Sequence, residues 1–144
     1  MDRKTFIRTC GALSVAGLPV VSVLQGCAPT SATVTGKVEG DLVTVPLSEF
    51  TEQGGGGARP FILVRVDGMN KPICVYKKGP ADYTALSTIC THRGCEVRPN
   101  EKYLACPCHG SEYSTSGEVL KGPAEIALKT YRTNVENENL RIHL

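Results

Sequence analysis

The sequence predicts an all-β fold, a small antiparallel sandwich or barrel. Three observations carry this. Short apolar runs of strand length recur along the chain, Gly, Pro and Asn/Asp turn signals separate them, and helix-period patterning is nearly absent after Gly36. At 144 residues the chain has the length of one domain.

The elements follow in order. Leu42–Leu47 places Val43, Val45 and Leu47 on one face, and Pro46 confines it to an edge or a strand end. Gly54–Gly57 is a surface loop. Phe61–Val66 is the strongest strand, and Asp67-Gly68-Met69-Asn70 turns it into Pro72–Tyr76 as a hairpin. Within it Cys74 alternates with apolar neighbours and reads as a small core residue. Tyr83–Ile89 leads into Cys90-Thr91-His92-Arg93-Gly94-Cys95, and Lys102–Ala105 leads into Cys106-Pro107-Cys108-His109-Gly110-Ser111. Ile126–Val135 and Leu140–Leu144 form a closing hairpin across Glu136–Asn139, and His143 reads as a surface residue.

Residues 1–26 read as an export signal. Arg3, Lys4 and Arg8 form a basic n-region, and Gly11–Leu24 is uncharged and shorter than the about 20 residues a spanning helix needs. Leu24-Gln25-Gly26-Cys27 resembles a bacterial lipobox, which makes Cys27 the lipidation site; an uncleaved signal anchor over Ile7–Leu24 is the alternative. Arg3-Lys4-Thr5-Phe6-Ile7 resembles a twin-arginine signal, the route that exports folded proteins, and an ordinary Sec signal competes with it. Cys10 lies in this leader. Residues 27–35, rich in Ser, Thr, Ala and Pro, read as a flexible tether, and residues 36–144 as the folded domain. Without the leader the chain carries 13 basic and 13 acidic residues, so no basic stripe points to nucleic acid.

The two loops hold four of the seven cysteines and two of the three histidines. Each offers one Cys and one His as metal ligands and has one Cys left over. That count fits a two-iron cluster on two thiolates and two imidazoles, with a disulfide tying the loops. A single Cys2His2 zinc site in a binding module is the rival of a different class. It leaves two cysteines unexplained and lacks the paired-histidine helix of zinc fingers.

CTHRGC followed by CPCHGS resembles the two cluster-binding boxes of Rieske iron–sulfur proteins, and the likeness extends over roughly 62–144. Gly117–Ala124 resembles the Gly-x-Val-x-x-Gly-Pro-Ala segment that covers the cluster, which assigns Gly122 and Pro123 to the cover. The resemblance implies a Rieske-like β fold with a small two-loop subdomain and a 2Fe-2S cluster. Cys90 and Cys106 would ligate one iron and His92 and His109 the other. Cys95 and Cys108 would form the disulfide, and Ser111 and Tyr113 would donate hydrogen bonds to cluster and ligand sulfur. Gly94 and Gly110 fit tight turns, and Pro107 stiffens the second loop.

Imidazole in place of thiolate, together with such donors, raises the reduction potential, so the resemblance is to the high-potential, disulfide-containing branch. It implies one-electron transfer with no catalysis of its own, in an exported, membrane-anchored protein of the bacterial envelope. The implied partners are a cytochrome b/c of a bc-type complex, with quinol as reductant, or the molybdopterin subunit of an arsenite-oxidase-like enzyme. A ferredoxin serving an oxygenase is disfavoured by the signal and the disulfide. Arg93 stands where quinol-oxidising members carry Leu, and a charge at an apolar docking tip carries a desolvation cost.

Overall fold

The computed structural model describes residues 32–144, so the leader, Cys10 and Cys27 lie outside the described residues. The strands are β1 (Ala32–Thr35), β2 (Lys37–Glu39), β3 (Leu42–Pro46), β4 (Phe61–Arg65), β5 (Ile73–Lys77), β6 (Tyr83–Ser87), β7 (Arg98–Pro99), β8 (Tyr103–Ala105), β9 (Glu112–Ser114), β10 (Val119–Lys121), β11 (Thr130–Glu136) and β12 (Asn139–His143). A 3-10 turn, Leu47–Phe50, follows β3.

Eight strands form one sheet in the order β1-β4-β5-β6-β11-β12-β3-β2. Its two edge strands are consecutive in the chain, separated by Gly36 alone. One residue spans at most a few ångströms, so the sheet must curl until its edges meet, which makes it a nearly closed barrel. Gly36 is required at the crossing: a Cβ there would collide with Val43 Cγ1, and its N–H donates to the Arg65 carbonyl at 2.9 Å.

The barrel core comprises Val43, Val45, Phe50, Ile62, Val64, Ile73, Val75, Tyr83, Ala85, Leu140 and Ile142, all buried. Alternation sends the other faces of β4, β5 and β6 outward. There Phe61, Cys74, Tyr76 and Leu86 meet Leu104 and Tyr113 of the small sheet β10-β9-β8-β7 in a second core. The near-continuous apolar run of β5 is explained by this arrangement, because both of its faces are covered. The second core also holds Cys90, Cys106, Val97, Ala124 and Leu128, so the two ligand loops stand on packed side chains.

Two expectations change. Residues 32–35, read as the end of the tether, form β1, in parallel register with β4 from Ala32↔Ile62 to Thr35↔Arg65. Only Ala32 and Val34 pack against the core, too weak an alternation to stand out in a Ser/Thr-rich stretch. β3 is an interior strand between β12 and β2, and Pro46 is its last residue, the strand end that was one of the two expected placements; there its missing N–H costs no ladder bond. The strand expected from Ile126 begins at Thr130, and Ile126 itself is exposed in the segment that covers the first loop. Asn137 and Glu138 make the closing turn with φ of 51° and 60°. His143 is on the surface, against Asn134 Oδ1 at 2.8 Å.

Candidate metal centre

The loops 90–95 and 106–111 are built on the same backbone template. In the first, the Cys90 N–H donates to the Cys95 carbonyl at 2.8 Å and the Gly94 N–H to the Cys90 carbonyl at 2.8 Å. In the second, the Cys106 N–H donates to the Ser111 carbonyl at 2.7 Å and the Gly110 N–H to the Cys106 carbonyl at 3.0 Å. Gly94 and Gly110 take φ of 77° and 82°, a region that disfavours side chains, and this is the physical reason each loop needs glycine there. The template pairs Cys90 with Cys106, His92 with Cys108, Arg93 with His109 and Cys95 with Ser111. Sequence reading treated the loops as two Cys/His pairs and missed this register, in which Arg93 occupies the position of His109.

The loops bring Cys90 and Cys106 together as free, buried thiols. The His92 and His109 rings lie 4.8 Å apart at 88°, His109 exposed and His92 half-buried. Cys95 and Cys108 are joined in a disulfide across the loops. Pro123 and Ala124, with Thr91, His92, Glu125 and Ile126, line a shallow cleft of about 370 Å³, so the covering segment lies against the first loop.

The donor set fits a metal group bound by both loops. The Nδ1 of His92 is buried and has no hydrogen-bond partner, a costly state for a ring nitrogen unless something else engages it. Burial pushes the Cys90 thiol up, but the Tyr113 hydroxyl and the backbone amides of His92 and Arg93 outweigh it and hold the thiol below its ordinary value. Burial and the neighbouring Cys90 raise Cys106, opposed by the amides of Cys108 and His109. Amides approach both sulfurs, but only at Cys90, with the Tyr113 hydroxyl beside it, is burial outweighed. Three ligand-type sulfurs, those of Cys95, Cys106 and Cys108, gather within 4.8 Å, but a disulfide removes two of them as thiolates.

Tyr113 is fully buried with its hydroxyl 3.2 Å from Cys90 Sγ. It accepts the Thr91 N–H at 3.1 Å and lies 3.0 Å from Thr91 Oγ1, which spends its own proton on the Ile126 carbonyl at 2.6 Å. Burial, and then Cys90, raise the Tyr113 phenol. Ser111 is fully buried and accepts the Ala124 N–H at 3.0 Å, which leaves its own proton free to donate. Thr91 was not anticipated, because its partner Ile126 is distant in sequence.

Two buried thiols, two imidazoles and a disulfide-braced pair of loops fit a class, the electron-carrying iron–sulfur proteins with mixed ligation. The Rieske [2Fe-2S] domain family matches residues 56–132, and this chain belongs to that family. It is a Rieske-type electron carrier with a 2Fe-2S cluster, which displaces the zinc alternative. Its relatives include the cytochrome b6-f complex iron-sulfur subunit of Synechococcus sp. strain JA-3-3Ab, 31% identical over 149 residues, covering 98% of this chain and 86% of that protein. The corresponding subunit of Nostoc punctiforme is 34% identical over 98 residues, covering 67% of this chain. The chain spans only 54% of the Nostoc relative and 39% of the Chlorobaculum thiosulfatiphilum relative. A solved complex of reduced oxygenase and oxidized ferredoxin in carbazole 1,9a-dioxygenase shares the fold at a TM-score of 0.55 and 18% identity, covering 73% of this chain and 94% of that chain.

Proposed function

We propose that Cys90 and Cys106 hold one iron of the cluster and His92 and His109 the other, and that electrons leave and enter through the exposed imidazole edge. The observation that carries this is the pairing itself: two buried free thiols behind two imidazoles, on twin loops locked by Cys95–Cys108. Ser111 and Tyr113 offer their hydroxyl protons to the sulfur-rich interior, which favours the more negative reduced state. Pro107 stiffens the second loop, and Gly122 and Pro123 belong to the cover that limits water.

We further propose an exported protein attached to a membrane through Cys27 or the 7–24 segment, serving as the iron–sulfur subunit of a cytochrome bc-type complex that oxidises quinol. The b6-f relatives support this reading. Among the described residues no helix is long and apolar enough to cross a membrane. Arg93, exposed at the loop tip, favours a second reading, docking to a periplasmic oxidoreductase such as a molybdopterin enzyme. Redox titration tests the first: a midpoint in the upper half of the family range of about −150 to +300 mV is expected, and one near its bottom overturns it. Co-purification from native membranes with a b-type cytochrome supports the bc-type assignment, and recovery with a molybdopterin subunit overturns it.

A further inference from the structure

Lys71, Cys95, Glu96, Arg98, Pro107 and Cys108 line a recess of about 440 Å³ on the disulfide side of the site. Lys71 and Glu96 also line a cavity of about 480 Å³ against the turn 67–70, so the two form one groove. The Cys95–Cys108 bridge is part of its wall. β7 supplies Arg98, whose ladder partner Ala105 immediately precedes Cys106, and Cys108 immediately precedes the exposed His109.

The charges on this side do not cancel. Glu96 is the one carboxylate lining the recess, and Lys71 Nζ takes it in an ion pair at 3.1 Å. Arg98 is exposed and, among the described residues, has no ion-pair partner; nor has the exposed Arg93 of the first loop. Across the site the sign reverses, because the cleft against the covering segment is lined by Glu125 and by neither Lys nor Arg.

We propose that the groove is the docking site of a redox partner protein that presents a cluster of carboxylates, with Arg98 as the main anchor. A guanidinium takes a carboxylate in a two-pronged, charge-assisted pair. The recess is concave, so a side chain enters it where a flat lipid surface does not. Glu125 repels the same partner from the cover side, so the charge pattern sets orientation as well as approach. The proposal rests on the reading that electrons cross at the His92–His109 edge, which a partner seated over the bridge would flank.

The test compares the full-chain holoprotein with Arg98→Glu, Arg98→Gln and Lys102→Glu, the last an equal charge change at an exposed residue outside the groove. Anisotropy at low salt reads the binding of a fluorescein-labelled hexaglutamate peptide. Stopped-flow absorbance reads oxidation of the reduced cluster by ferricyanide, with and without unlabelled peptide. Arg98→Glu should weaken peptide binding and slow ferricyanide by about tenfold, Arg98→Gln by less, and Lys102→Glu by under about twofold. The peptide should slow ferricyanide with the native protein, carbodiimide should couple it to Lys71, and salt at about 0.5 M should erase these differences. Slowing is diagnostic, because a negative charge added near the cluster lowers its potential and by driving force alone would speed oxidation. Equal effects of Arg98→Glu and Lys102→Glu overturn the proposal, as does a holoprotein that does not bind the peptide. Arg98-dependent binding to phosphatidylglycerol vesicles without peptide binding assigns the groove to a lipid surface and overturns it too. Peptide binding needs no cluster, so a chain lacking the 2Fe-2S spectrum would fail the electron-transfer reading while the peptide still decides the docking.

Discussion

Replacing Tyr113 by Phe removes one hydroxyl and little else, because the ring keeps its place in the second core. That hydroxyl has a single proton and two acceptors, Cys90 Sγ at 3.2 Å and Thr91 Oγ1 at 3.0 Å. Thr91 Oγ1 already donates to Ile126, so Tyr113 is the donor to Thr91, and with Cys90 as a thiolate ligand it is the donor to that sulfur as well. A hydrogen bond to a charged acceptor is worth about 1.5–3 kcal/mol. Only the part that strengthens on reduction changes the potential, and a shared proton contributes less than a full bond, so about 1 kcal/mol is the working figure. For one electron a tenfold change corresponds to about 59 mV and about 1.4 kcal/mol, so the shift is about 40 mV. Tyr113→Phe should lower the midpoint by about that amount, with iron content and visible spectrum retained. Protein-film voltammetry at fixed pH reads it directly. A midpoint that is unchanged or rises refutes the assignment of Tyr113 as a donor to a ligand sulfur.

Cys95→Ala with Cys108→Ala removes a cross-link of sequence separation 13, which should lower unfolding stability by about 3 kcal/mol; guanidinium unfolding of the paired proteins would show it, and a loss under about 1 kcal/mol contradicts the bracing role. Burial pushes the Cys74 thiol far above its ordinary value. Below about pH 8.5 folded and unfolded chains both keep that proton. Above it only the unfolded chain sheds the proton, so stability falls as pH rises, by about 1.4 kcal/mol per unit from this group. Unfolding curves from pH 8 to 10.5 should therefore be less steep in pH for Cys74→Ala, and an identical slope refutes the linkage. Gly117 takes φ of +91°, and a Cβ there would stand 2.9 Å from Leu86 Cδ2 and 3.3 Å from the Leu128 carbonyl, so Gly117→Ala should cost about 2 kcal/mol or more in the same assay. A neutral result would mean that the segment leading to Pro123 yields easily.

The sequence made β4 and β5 legible because Phe61–Val66 and Ile73–Tyr76 are apolar enough to be strands in any setting. β1 was hidden because Thr33 and Thr35 face outward in a stretch whose composition reads as linker. β9 and β10 were hidden because each is only three residues long, with an irregular register between Val119 and Lys121. Within the site, residue types alone fix the ligand count, since few chemistries want two Cys/His pairs and two further cysteines. The disulfide was legible as the one cysteine left over in each loop, and the folded loops join Cys95 to Cys108. The role of Thr91 was out of reach, because a hydroxyl between Tyr113 and Ile126 is a three-way contact that no spacing rule encodes.

A two-iron cluster held by Cys90, Cys106, His92 and His109 is the core of the proposed function. Iron and acid-labile sulfide content, measured on the same sample as the EPR spectrum after dithionite reduction, tests it most directly. Two irons and two sulfides per chain are expected, with a signal of average g below 2 that is lost when His109 is replaced by Ala. One zinc per chain in a colourless, EPR-silent protein, or a cluster that survives unchanged in His109→Ala, would contradict it.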